Sequence, residues 1–181
     1  MKQKIITLLC ILMAGSAFSQ KYLTKSGTVH FEANVPLFED VDAKHGSTVA
    51  VLNSDSGDLA VISTVKDFRF KVALMEEHFN ENYAESAKFP KTTFVGKILN
   101  FNKEDLSATP KSYTISGVHH FHGADRNVTS VASIFTKDGK IIISGKFIAR
   151  PADYQVKIPK MVMRKIAEQV NVDYQFELAK Q

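Results

Sequence analysis

Tryptophan is absent from this 181-residue chain, cysteine occurs once, and no apolar run is long enough to span a membrane as a helix. The longest such run, from Ile5 to about Ala14, covers roughly ten residues, against the ~20 that a spanning helix requires. It follows Lys2 and Lys4 and precedes Ala17-Phe18-Ser19, which has small residues at the two positions a signal peptidase reads. Residues 1–19 are therefore expected to be a secretory signal peptide, and the mature chain, 20–181, to be exported: periplasmic in a two-membrane bacterium, or secreted. Cys10 lies inside the leader, and Leu9 before it is not the small residue of a lipoprotein attachment site. The mature chain then has no disulfide, no thiolate metal ligand and no cysteine nucleophile, although an exported compartment permits disulfides. Its stability must come from packing.

Charge excludes more. Loss of Lys2 and Lys4, with all 19 acidic residues retained, takes the formal charge from +4 to +2, and neither value advertises a nucleic-acid partner. Catalytic signatures are missing too: there is no GxSxG elbow, HExxH helix, GxxxxGK[ST] loop or GxGxxG turn, so no enzymatic activity is expected. There is also no internal repeat, low-complexity segment or interdomain linker; Lys103–Lys111 is a polar loop. The mature length suits one domain with a sizeable core.

What the chain does have is period-two alternation. Val29, Phe31, Ala33 and Val35 fall on one side of an extended segment, with Thr28, His30, Glu32 and Asn34 on the other, the pattern of a half-buried strand. Similar patterns run through 47–53, 58–64, 67–74, 92–101, 112–122, 127–136, 140–149 and 171–178. Turn chemistry separates them, at Asp55-Ser56-Gly57-Asp58 and at Asp138-Gly139, which suits a two-residue hairpin. Two helical segments interrupt the pattern. In the first, Met75, Phe79 and Tyr83 recur every four residues until Pro90 forces an extended conformation before Thr92. The second runs from about Pro159 to Val170, with Val162, Ile166 and Val170 at the same spacing and Pro159 suited to a first helical turn. Many short strands and few helices predict an all-β fold: a closed or nearly closed antiparallel barrel of about eight strands, lipocalin-like, with two short helices covering it.

Seven phenylalanines, Phe31, Phe68, Phe70, Phe94, Phe121, Phe147 and Phe176, fall within these strands. A barrel of this size either fills its interior with side chains or holds one small ligand, and periodicity supports both. His119, His120 and His122 form a second constellation. On an ideal strand His120 and His122 share a face, about 6–7 Å apart, a spacing that can chelate a metal. Two imidazoles do not complete a zinc site, so His30, His45 or His78 would have to approach.

Four stretches carry a resemblance: His78–Gly96 (HFNENYAESAKFPKTTFVG), Gly117–Gly123 (GVHHFHG), Asp138–Phe147 (DGKIIISGKF) and Asp153–Pro159 (DYQVKIP). With these the chain resembles the YceI-like family of secreted, lipocalin-like barrels that bind polyisoprenoid lipids. The likeness extends from Gly27-Thr28-Val29-His30-Phe31 to Val172-Asp173-Tyr174-Gln175-Phe176. His122-Gly123 and the following Arg126 match the family's turn, while His119 and His120 depart from it. The resemblance implies one YceI-like domain over 20–181, an apolar tunnel holding a long isoprenoid chain as ligand, and no cofactor. The expected lining comprises Phe31, Phe68, Phe70, Phe94, Ile98, Phe121, Phe147 and Phe176 from strands. Met75, Phe79, Tyr83 and Met161 complete it from the helical segments. Lys88, Lys91 and Arg126 are candidates for the rim. Two other readings stay open: an exported metal-binding protein using His119, His120 and His122, and a filled-barrel interaction module.

Overall fold

The computed structural model describes residues 20–33, 41–158 and 168–181. The expected signal peptide, Met161 and nearly all of the expected second helix lie outside these residues; Val170, the last residue of that helix, begins a strand instead. The described residues form nine strands: β1 (Lys21–Ala33), β2 (Val41–Asn53), β3 (Asp58–Thr64), β4 (Arg69–Phe70), β5 (Lys91–Ile98), β6 (Lys111–Phe121), β7 (Ala124–Lys137), β8 (Lys140–Ala149) and β9 (Val170–Lys180). One α-helix, α1 (Ala73–His78), widens into a π-helical turn at Phe79–Tyr83. All strand pairings are antiparallel, in the order β1-β9-β8-β7-β6-β5-β3-β2, and β2 pairs back onto β1. The sheet is thus a closed eight-stranded barrel, which removes every long edge, with the two-residue β4 added onto β2.

Local chemistry explains the connections. His122-Gly123 and Asp138-Gly139 join β6 to β7 and β7 to β8, each with positive φ at both positions (50° and 75°, 50° and 74°). That is the tight hairpin geometry that matches strand twist. Two strands are longer than the alternation predicts. β1 reaches back to Lys21 and β2 to Val41, and both carry a bulge: the β1–β2 register slips between Thr24 and Gly27 and again between Gly27 and Val29. Each bulge puts two exposed residues in succession, Lys25-Ser26 and Gly46-Ser47, so the period-two signal breaks there although the strand continues.

The segment expected as a strand at 67–74 is mostly something else. Only Arg69–Phe70 pair, between a 3₁₀ turn at Val65–Asp67 and α1. Glu76 of α1 fixes this arrangement by accepting hydrogen bonds from Arg69 Nη1 (3.0 Å) and from the Phe70 N–H (3.2 Å). Beyond the π turn, the Pro90 carbonyl accepts a hydrogen bond from the Val65 N–H (2.9 Å), locking the Phe-Pro corner at the start of β5.

Inside the barrel, one end is solid. Leu52, Leu59, Ile98, Ile115, Ile134, Ile141, Ile143 and Leu178 pack together and are at most 2% exposed. Phe176 stacks on Tyr174 above them, with centroids 5.4 Å apart. Phe94 lies across the facing pair Gly96 and Gly117, where an added Cβ would come within 2.5 and 2.8 Å of Phe94 Cζ. The missing side chains let this ring lie against the wall.

Candidate functional site

The inward positions change character along each strand. On β9, Leu178 and Phe176 are buried while Tyr174, Val172 and Val170 are half-buried; on β8, Ile141 and Ile143 give way to Gly145, Phe147 and Ala149. At this other end the barrel encloses a cavity of about 450 Å³. Its wall includes Val29, Phe31 and Ala33 of β1, Phe121 of β6, Phe147 and Ala149 of β8, and Val170 and Val172 of β9. A smaller cavity of about 90 Å³ lies toward the solid end, lined in part by Phe94, Ile115, Tyr174 and Phe176. Val29, Thr92, His119, Phe147 and Val172 line both, and so form a waist between them.

At the mouth, Phe31, Phe68, Phe70 and Phe79 make one aromatic cluster with centroids 5.1–6.0 Å apart, the spacing of favourable tilted and edge contacts. Phe31 comes from β1, Phe70 from β4 and Phe79 from the π turn, so the cluster roots the helical segment on the barrel. Met75, Phe79 and Tyr83 all line the cavity; their four-residue spacing puts them on one face.

At the waist the polar groups Thr92 and His119 bond each other and, beside them, Tyr154. Thr92 donates its hydroxyl proton to the His120 carbonyl (2.9 Å), so it accepts from His119 Nε2 (3.0 Å). His119 Nδ1 is then the acceptor for the Tyr154 hydroxyl (2.8 Å). Burial, helped by the neighbouring His120, lowers the His119 pKa to about 4, which keeps the imidazole neutral. Burial, with the Asp153 charge, pushes Tyr154 up to about 12, so it stays a donor. Toward the solid end, Ser130 donates to the Lys146 carbonyl (2.9 Å) and takes the Tyr174 hydroxyl as donor (2.8 Å). Between β2 and β3, buried His45 receives the Ser47 N–H and the Thr48 hydroxyl on Nδ1, and Thr48 bonds Ser63. Desolvation lowers the pKa of His45 as well.

His122 sits outside the cavity as a clasp. Its Nδ1–H donates to the Tyr154 carbonyl (2.9 Å), its Nε2 lies within hydrogen-bond distance of Glu85 Oε2 (2.7 Å), and its ring packs on Phe89 (4.6 Å between centroids). Three segments meet there: the corner after the π turn, the β6–β7 hairpin and the 3₁₀ turn at Pro151–Tyr154.

The residues expected to line a tunnel divide between the two cavities and the solid end. Phe31, Phe68, Phe70, Met75, Phe79, Tyr83, Phe121 and Phe147 line the large cavity, and Phe94 and Phe176 the small one. Ile98 lines neither; it is fully buried in the solid end, because β5 runs from the waist at Thr92 down to that end. The three histidines do not converge. His119 faces inward, His120 turns outward to Asp125 (2.6 Å), and the positive φ of His122 takes it off the strand path. His30 bonds Asp42 (2.8 Å) elsewhere, and among the described residues no group of three or more His, Cys, Asp or Glu is placed to hold a metal ion. Lys88, Lys91 and Arg126 do not line the cavity; Lys88 lies over Phe89, and Arg126 donates to the Asp125 carbonyl. Sequence reasoning missed Val29, Thr92 and Val172 as wall, though their strand parity could have found them. It also missed Tyr154, which lies in a turn with no periodicity to read.

A closed antiparallel barrel that is solid at one end and hollow and aromatic at the other defines a lipocalin-like cavity protein. The YceI-like domain matches residues 17–178, and the chain belongs to that family. Among solved structures it is similar to a polyisoprenoid binding domain from Saccharophagus degradans implicated in plant cell wall breakdown (11% identity, 90% of this chain and 99% of that chain covered, TM-score 0.76). It is also similar to Burkholderia cenocepacia BcnA (13%, 84% and 96%, 0.63) and to the Campylobacter jejuni YceI protein (17%, 82% and 85%, 0.57). At these identities the likeness is one of fold. No curated protein matches the sequence.

Proposed function

We propose that this is an exported lipid-binding protein that stores or carries a long apolar, polyisoprenoid-type chain in the hollow end of its barrel. The observation that carries this reading is the cavity of about 450 Å³ with an almost wholly apolar wall, within the size range of small-molecule sites. It is about three times the ~150 Å³ of an engineered cavity that takes up benzene. Scaling benzene's six carbons by that ratio, roughly 18 carbons, or about three to four isoprene units, would fit, and a longer chain would extend beyond the mouth. Burial contributes about 0.8 kcal/mol per methylene before ordering costs, so such a chain needs little polar contact to bind. The similar Saccharophagus degradans domain is a polyisoprenoid binding domain, which favours an isoprenoid over other apolar chains. Adaptable Met75 at the mouth suits a ligand of variable shape. The reading includes cleavage of the leader at 1–19, a mature domain at 20–181, and no catalytic step or cofactor besides the lipid.

Native mass spectrometry of the mature protein purified from its own host tests it, with the released lipid identified after denaturation. A bound isoprenoid is the expected result. A clean apoprotein that also fails to take up added polyprenol would sink the reading.

A further inference from the structure

The waist of the cavity has spent its protons. Thr92 gives its hydroxyl proton to the His120 carbonyl, His119 gives its Nε2–H to Thr92, and Tyr154 gives its O–H to His119 Nδ1. Each bond is 2.8–3.0 Å long, the donor directions form one consistent chain, and nothing in it is left over to donate. Acceptor capacity does remain. A phenolic oxygen that donates still has lone pairs, and a threonine oxygen that donates once and accepts once has one more. Among the described residues, no Lys, Arg, Asp or Glu lines either cavity, and the one histidine at the waist, His119, already has both ring nitrogens engaged.

From this arrangement we infer that the waist, with Tyr154 beside it, selects an uncharged ligand bearing a hydroxyl group, which donates its one proton to the oxygen of Tyr154 or to that of Thr92. The inference rests on the lipid-binding reading and narrows it, from apolar chains in general to long-chain alcohols. A carbonyl or ether oxygen at the waist meets acceptors only; to receive a proton it would have to break the Tyr154–His119 or Thr92–His120 bond. A phosphate at the waist adds the cost of carrying charge to a place where no described lining residue is a Lys or Arg. The neutral state of His119 supports the same conclusion, because an imidazolium there would offer a second donor.

The test uses four probes built on one C20 isoprenoid chain: the alcohol, its methyl ether, the hydrocarbon and the monophosphate. Each is titrated into delipidated protein. The expected order places the alcohol first, about 3- to 10-fold tighter than the ether, as one net hydrogen bond implies, and the monophosphate last. Tyr154→Phe removes one of the acceptor oxygens and frees the His119 Nδ1 lone pair, so it should change the ratio of alcohol to ether affinity while leaving the hydrocarbon unchanged. The comparison of probes on the unaltered protein stands even if that variant fails to fold. Uptake of alcohol, ether and hydrocarbon with equal affinity, or tightest binding of the phosphate, overturns the inference but leaves lipid binding intact. Failure of all four overturns both.

Discussion

The two ends of this barrel are built from the same eight strands with the same alternation, yet one is solid and the other hollow. On β8 the inward residues run Ile141, Ile143, Gly145, Phe147, Ala149, and on β9, read from the same end, Leu178, Phe176, Tyr174, Val172, Val170. Branched aliphatics from facing strands meet at the solid end because they are compact and interdigitate. At the hollow end Phe31, Phe68, Phe70 and Phe79 pack on one another at tilted and edge angles, and Gly145 and Ala149 on β8 stand where the solid end has Ile141 and Ile143. Alternation decides which side chains point inward. Whether they meet in the middle depends on their shape and on what covers the end.

That contrast can be broken most directly by truncation. Leu52→Ala removes a side chain from the solid end, where it is completely buried, and should cost about 2–5 kcal/mol. Phe31→Ala, at the half-buried rim of an existing cavity, should cost about 1–2 kcal/mol, since less surface leaves a packed environment. Equilibrium urea unfolding measures both, and equal losses would mean that the hollow end is as tightly packed as the solid one.

A charge placed on the wall sharpens the contrast between inside and outside. Phe147→Glu should weaken uptake of a C20 isoprenoid alcohol by about 100-fold or more, because it sets a carboxylate on the apolar wall where no described lining residue is a Lys or Arg. Ile148→Glu, one residue on, is the control: Ile148 is 58% exposed on the outer surface, and its replacement should leave uptake unchanged. Equal losses in the two variants would place the ligand somewhere other than the cavity.

Acid should weaken the hollow end by a smaller amount. His119 has a pKa of about 4 in the folded protein against 6.5 when exposed, so the unfolded chain takes up a proton first as pH falls. The stabilising contribution is therefore complete above about pH 6.5 and is lost progressively down to about pH 4, by on the order of 2–3 kcal/mol. The depressed pKa of His45 acts in the same direction. His119→Phe should flatten the profile of unfolding free energy against pH in that window; an unchanged slope would show that His119 does not stay neutral inside.

Much of this site is legible in the sequence, for a definite reason. Phe31, Phe121 and Phe147 sit at inward positions because parity along a strand is fixed by covalent geometry, and Met75, Phe79 and Tyr83 share a face because helical spacing is equally local. Ile98 has the right parity too, but parity says nothing about depth, and depth separates a cavity wall from a packed core. The strand expected over 67–74 fails where tertiary contacts override a short apolar pattern: Glu76 captures the Phe70 N–H, and the chain turns into α1. His120 and His122 part company because the hairpin needs positive φ at His122, which ends the strand geometry that would have aligned them.

By itself, then, the sequence determined the antiparallel barrel, its tight hairpins and the inward set of aromatics, since each follows from interactions between residues close along the chain or from strand parity. Only the tertiary structure decided that the inward residues leave a hollow at one end and that Tyr154, from an unpatterned turn, completes a chain of hydrogen bonds with Thr92 and His119. Volume and hydrogen-bond partnership are properties of residues brought together from distant parts of the chain. Barrel closure, through the pairing of β1 with β2, is what brings them together.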